Sequence, residues 1–182
     1  MFKLDIKDHV ANIKMSRPEK LNAMNWSFWE SLPPLIDQIN GNQDVRVVIL
    51  SGEGSAFSVG LDFFDMMPRL GTNGQPPNGA SQRALHTMIR QMQWTVTCLE
   101  RCRVPVLAAI HGYCLGGGID LITACDCRFS TEGAVFGIRE TKMAIVADIG
   151  TLQRLPRIVS PGIARELVYT GRDFSAEYAH EI

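Results

Sequence analysis

Three carboxylates and two glycine-bearing turns are the residues of this 182-residue chain best suited to chemistry. Asp120, Glu140 and Asp148 could serve as acids and bases, because a positioned carboxyl trades protons efficiently once its surroundings bring its pKa toward neutrality. Each has a plainer use as well. Asp120 could complement a helix dipole, Asp148 could cap a helix opening just after it, and Glu140 could pair on the surface with Arg139 or Lys142.

The stretch HGYCLGGGID, His111 to Asp120, puts Gly116, Gly117 and Gly118 where a helix begins. Amides there are unpaired and back onto the positive end of the helix dipole. Such a site suits an oxyanion, for instance the enolate left when a thioester loses its α-proton. Close helix–strand packing is the other use of such glycines. In AFSVGLD, Ala56 to Asp62, Gly60 lets a ligand approach the backbone closely, although the segment could equally be a connecting turn.

The elements that must position these groups alternate between strands and helices, so the class is α/β. Residues 2–15 predict two short strands joined around Asp8-His9. Trp26, Phe28, Trp29, Leu32, Leu35, Ile36 and Ile39 recur at helical spacing, with Pro33 and Pro34 expected to kink or break that helix. Val45–Leu50 and Val104–Ile110 are expected as buried strands. Between them, Gly71–Ala80 is expected as a mobile surface loop, followed by a long helix with Leu85, Ile89, Met92, Val96 and Leu99 on one face. The glycines introduce a helix from Asp120 to about Cys125, and short strands are expected around Arg128–Phe129 and Val135–Phe136. Ser160-Pro161 opens a later helix that Gly171 stops. Ser175 starts another that has no stop signal, which leads us to expect one domain over 1–182 that continues C-terminally in the natural protein.

A formal net charge of -1 gives no global field to gather polyanions, so no nucleic-acid partner is expected. No apolar run is long enough for a membrane span, and the alternating start, Phe2 to Ile6, does not look like a targeting segment. The odd set Cys98, Cys102, Cys114, Cys125 and Cys127 lacks paired zinc spacing. Mostly set in apolar stretches, these cysteines suggest a reducing compartment with neither disulfides nor metal. An intracellular, soluble protein is expected. The triple glycine is not G-x-G-x-x-G, so a dinucleotide or phosphate loop is excluded as its explanation.

RPEKLNAM (17–24), AFSVGLDF (56–63), AAIHGYCLGGGIDL (108–121) and TLQRLPRIV (151–159) together resemble the crotonase, or enoyl-CoA hydratase/isomerase, superfamily. The resemblance runs in order along the chain. It implies a crotonase-like spiral of repeated ββα units, with C-terminal helices that normally serve subunit contacts missing here. It further implies an acyl-CoA substrate, no separate cofactor, and a homotrimer or dimer of trimers. By the same resemblance the amides of Leu61 and Gly117 form an oxyanion hole, and CoA lies along Ala56, Ser58, Val59, Gly60, Leu61, Asp62 and Gly117. The compartment would be a mitochondrial or peroxisomal matrix in a eukaryote, the cytoplasm in a bacterium.

Acids matching Asp120 and Glu140 hold and activate water in the family's hydratases, which typically have glycine at the place of Asp148. The third acid, within Ala147–Pro156, looks instead like the dienoyl-CoA isomerases. A shift of 3,5- to 2,4-dienoyl-CoA in β-oxidation needs a base at the α-carbon, an acid at the distal carbon and fixed donors at the oxygen. Glu140 would be the base and Asp148 the acid, with Asp120 raising the pKa of Glu140 and orienting it. The alternatives are an enoyl-CoA hydratase and a non-catalytic crotonase-like binding protein. A serine hydrolase using Ser58 lacks the G-x-S-x-G elbow, and His111 is expected as a structural hydrogen-bonder rather than a base.

Overall fold

The computed structural model describes residues 1–69 and 78–182. The chain opens with β1 (Phe2–Lys7) and β2 (Val10–Met15), an antiparallel pair whose turn residues Asp8 and His9 both have positive φ. That turn geometry matches the right-handed twist of the strands it joins. α1 (Trp26–Gly41) is capped by Asn25 and buries Phe28, Trp29, Leu32, Ile36 and Ile39. β3 (Val47–Gly52), α2 (Phe63–Met66) and α3 (Gly79–Glu100) follow. Next come β4 (Val106–Ile110), β5 (Tyr113–Leu115), α4 (Gly117–Ala124), β6 (Cys127–Ser130) and β7 (Val135–Gly137). α5 (Thr151–Arg154), α6 (Pro161–Thr170), β8 (Asp173–Ser175) and α7 (Ala176–Glu181) complete the chain.

The strands form two sheets, ordered β1-β2-β3-β4-β6 and β5-β7-β8. β2, β3, β4 and β6 run parallel in the first, and an isolated parallel bridge between Ser58 and Cys114 extends the second. A strand of the large sheet is thus followed by a shorter extended piece in the small one, then by a helix. This happens at β3 with its Ser58 bridge before α2 and α3, and at β4-β5-α4, while the first unit, β1-β2-α1, keeps both strands in the large sheet. The expected ββα repeat is present. α4 is buried from Gly118 to Ala124, as a helix apolar all round should be.

Three expectations are corrected. α1 is not broken at Pro33 and Pro34. Pro33 lacks the amide that would reach the Trp29 carbonyl, but the buried Thr95 hydroxyl of α3 donates to that carbonyl at 2.7 Å. A tertiary donor replaces the missing one. Asp120 does not begin its helix, because α4 starts at Gly117 once Gly116, at φ 51°, has turned the chain. The expected loop over 71–80 lies outside the described residues up to 77, and beyond it Asn78 already caps α3 through Ala80 and Ser81. Further along, Ser160, Gly171 and Ser175 cap as expected.

Candidate active site

The site is built from three chain segments laid side by side. The Met24 amide donates to the Gly60 carbonyl at 2.8 Å, and the Asp62 amide donates to the Met24 carbonyl at 3.0 Å. On the other side, the Ser58 amide donates to Tyr113 and the Leu115 amide to Ser58, both at 3.0 Å. The Gly60 carbonyl and the Leu61 N–H share one peptide plane and point to opposite sides of it, so pairing of Gly60 with Met24 turns the Leu61 N–H away from Met24. Gly117, first residue of α4, lies next to Gly60. Neither the Leu61 nor the Gly117 amide has an acceptor among the described residues.

Glycine is needed at this contact. Gly60 sits at φ 86°, and a Cβ on it would lie 2.9 Å from the Leu115 oxygen and 3.0 Å from the Gly117 nitrogen. A Cβ on Gly117 would meet the Met24 sulfur at 3.0 Å. Close packing and amide presentation, alternatives in sequence, are the same feature in space.

Two side chains staple these segments together. Asn22, fully buried with φ 54°, donates to the Glu53 and Ala56 carbonyls at 2.9 and 2.8 Å and accepts from the Arg17 amide at 2.9 Å. Arg17 pairs with Asp62 at 2.6 Å and donates to the Ala23 carbonyl, holding the Asp62 carboxyl below its ordinary range. Of the expected CoA-contacting residues, Ala56 and Ser58 are fully buried, backbone included, and present no surface to a ligand in this structure. The Ser58 hydroxyl donates to the Asn22 carbonyl and accepts from the Gly60 amide, so it is no free nucleophile. His111 bonds the Gly54 carbonyl at 3.0 Å, as expected of a structural group.

The three acids arrive from different elements. Asp120 lies within α4, almost wholly buried, and one of its oxygens accepts from both the amide and the hydroxyl of Thr151 at 2.7 Å each. Burial pushes its carboxyl up to about 7, with the charge of Glu140 adding and Thr151 opposing. Glu140 opens a short 3-10 turn, and its Oε1 stands 3.3 Å from where a Gly116 Cβ would be. Its other oxygen is buried with no partner among the described residues. Arg139, the expected ion-pair partner, is engaged by Asp173 instead. Burial raises the Glu140 carboxyl, and Asp148 raises it further. Asp148 caps no helix, since Gly150 precedes α5, and burial raises its carboxyl too.

These acids therefore act on one another in the order Asp120, Glu140, Asp148. The coupling between Asp120 and Glu140 is that of neighbouring carboxyls, which resist ionising together. A separate groove of about 820 Å³, lined by residues such as Ile119, Phe136, Leu155 and Phe174, holds none of the three acids. Sequence reasoning assigned no role to Arg17, Asn22, Gln93 or Thr151. Arg17 and Asn22, in the RPEKLNAM segment, and Thr151, opening the TLQRLPRIV segment, carried a signal, and Gln93 carried none.

A family model described as enoyl-CoA hydratase/isomerase matches residues 5–182. The peroxisomal delta(3,5)-delta(2,4)-dienoyl-CoA isomerase of Arabidopsis thaliana is 45% identical over 95% of this chain and 63% of its own length. The mitochondrial protein of that name from Mus musculus is 42% identical over 94% of this chain and 53% of its own. The chain thus spans just over half to under two thirds of these relatives. Among solved structures, an enoyl-CoA hydratase from Bacillus anthracis superposes with a TM-score of 0.86 at 36% identity, covering 99% of this chain and 66% of that one. A Thermobifida fusca YX protein solved in complex with acetoacetyl-CoA also gives 0.86, at 31% identity, over 99% and 70% of the two chains. The fold is the crotonase fold. Among the described residues, no helix is long and apolar enough to cross a membrane.

Proposed function

Because the chain belongs to the enoyl-CoA hydratase/isomerase family, we propose that it isomerises 3,5-dienoyl-CoA to 2,4-dienoyl-CoA in fatty-acid β-oxidation. The observation that carries this is the third acid. Asp148 is electrostatically coupled to Glu140, which stands against Gly116 beside the two unpaired amides. A hydratase needs only the pair Asp120 and Glu140 and leaves Asp148 idle.

Glu140, ionised, removes a proton from the carbon next to the thioester carbonyl. The electron pair spreads through the diene, and the charge that reaches the carbonyl oxygen is held by the N–H groups of Leu61 and Gly117. Asp148, whose carboxyl burial raises, delivers a proton to the far carbon of the diene. Glu140 finishes protonated and Asp148 ionised, and solvent exchange resets both. Asp120, neutral up to about pH 7, sparing Glu140 a like charge, lets it ionise as the base. The acyl-CoA class is supported by the acetoacetyl-CoA held by the Thermobifida protein. With this activity go a homotrimer or dimer of trimers and, in a eukaryote, the mitochondrial or peroxisomal matrix named for the relatives.

The test is incubation of the full chain with 3,5-dienoyl-CoA while following absorbance of the conjugated 2,4-product. Appearance of product supports the isomerase. No product, together with loss of absorbance from a conjugated 2-enoyl-CoA, would establish the hydratase instead.

A further inference from the structure

Resting on the isomerase reading above, we propose that Gln93 of α3 is a positioning residue for the distal acid, setting the direction of the Asp148 side chain by holding its carbonyl. The segment before Asp148 has little to hold it. Residues 141–146 are exposed, and burial resumes only at Ala147. Yet a proton donor must be placed within a fraction of an ångström of its target.

The structure supplies the anchor from across the site. Gln93 Nε2 donates to the Asp148 carbonyl at 2.7 Å, bridging 55 positions of sequence. On the other side of the same Cα, the Asp148 amide donates to the Val146 carbonyl at 2.9 Å. With both flanking peptide planes tied, the Cα–Cβ direction of Asp148 is determined, and only its side-chain torsions stay free.

The grip continues along one stripe of α3. Arg154 donates to the Thr97 hydroxyl at 3.0 Å and to Glu100 at 2.9 and 3.0 Å. Gln93, Thr97 and Glu100 recur at the spacing of one helical face. Between these two anchors, Thr151 ties the same segment to Asp120 on α4. The 148–154 stretch is thereby clamped between the two helices, with Gln93 at the end that bears the acid.

The experiment compares wild type, Gln93→Met, Asp148→Asn and the double variant, all as full chains. Methionine keeps the length and removes the donor. We expect Gln93→Met to lower kcat for 3,5-dienoyl-CoA by about 10- to 100-fold with KM within about twofold. Deuterium exchange at the α-carbon, which needs Glu140 and the amides but not the distal acid, should stay near wild type. In the Asp148→Asn background, Gln93→Met should have no further effect on the residual rate, because its influence passes through Asp148. Additive losses, a parallel fall in exchange, or an unchanged kcat would each overturn the proposal. Should Gln93→Met fail to fold, Gln93→Glu assayed above neutrality removes the same donor in nearly the same shape and is judged by the same outcomes. If the wild type itself makes no 2,4-product, it is the isomerase reading that falls.

Discussion

Replacing Asp120 by Asn should make the protein more stable above neutrality. The Asp120 carboxyl titrates near 3.8 in an unstructured chain and is pushed up to about 7 in the fold. Between those values the folded state keeps a proton that the unfolded chain has released, so stability falls as pH rises through that window and levels off above it. One proton corresponds to about 1.4 kcal/mol per pH unit, which puts the cost of ionising Asp120 in place at about 4 kcal/mol. Asparagine has no charge to bury, and its oxygen can still accept from Thr151. The variant should therefore be about 2–4 kcal/mol more stable than wild type at about pH 8, and the difference should shrink toward about pH 4. Urea unfolding at fixed slope across that pH range measures it. Asp148 contributes alike in both proteins, whereas Glu140 is coupled to Asp120, so the difference reports Asp120 together with that coupling. Parallel pH curves, or a variant less stable at about pH 8, would refute the claim that this carboxyl is held neutral by burial.

Other consequences follow from the same geometry. Asp148→Asn should reduce formation of the 2,4-dienoyl product by about 100-fold or more while leaving binding of a CoA analogue nearly unchanged, as read by absorbance and calorimetry. Gly60→Ala places a Cβ against the Leu115 oxygen at a positive φ, so we expect about 1–3 kcal/mol of destabilisation and about 100-fold loss of kcat in steady-state assays. Asn22→Ala strips the staple between the 17–24 and 53–58 segments and should cost about 2–4 kcal/mol in denaturant unfolding. Thr95→Val leaves the Trp29 carbonyl without its donor inside α1, and the same unfolding measurement should register a loss of about 1–3 kcal/mol.

Local chemistry was legible wherever a few neighbouring residues decide the outcome. The β1-β2 turn at Asp8-His9, the caps at Ser160 and Ser175, and the left-handed stop at Gly171 all depend on contacts within one turn of chain. The start of α4 was misjudged by three residues because glycine lowers helix propensity, yet Gly117 and Gly118 are held helical by the contacts around them. The double proline misled for a related reason. A helix that lacks its own donor looks broken until a hydroxyl from another helix is seen to replace it.

By itself, then, the order of residues determined the α/β alternation, the glycine positions, the types of acid available and, through four co-linear segments, the family. Tertiary structure alone decided that Asp120, Glu140 and Asp148 sense one another's charge, which of them holds its proton to about pH 7, and that Gly60 and Gly117 pack against one another. Side-chain type and local propensity act over a turn or two of chain. Burial and proximity between groups 31 or 55 positions apart arise only when the sheets and helices pack.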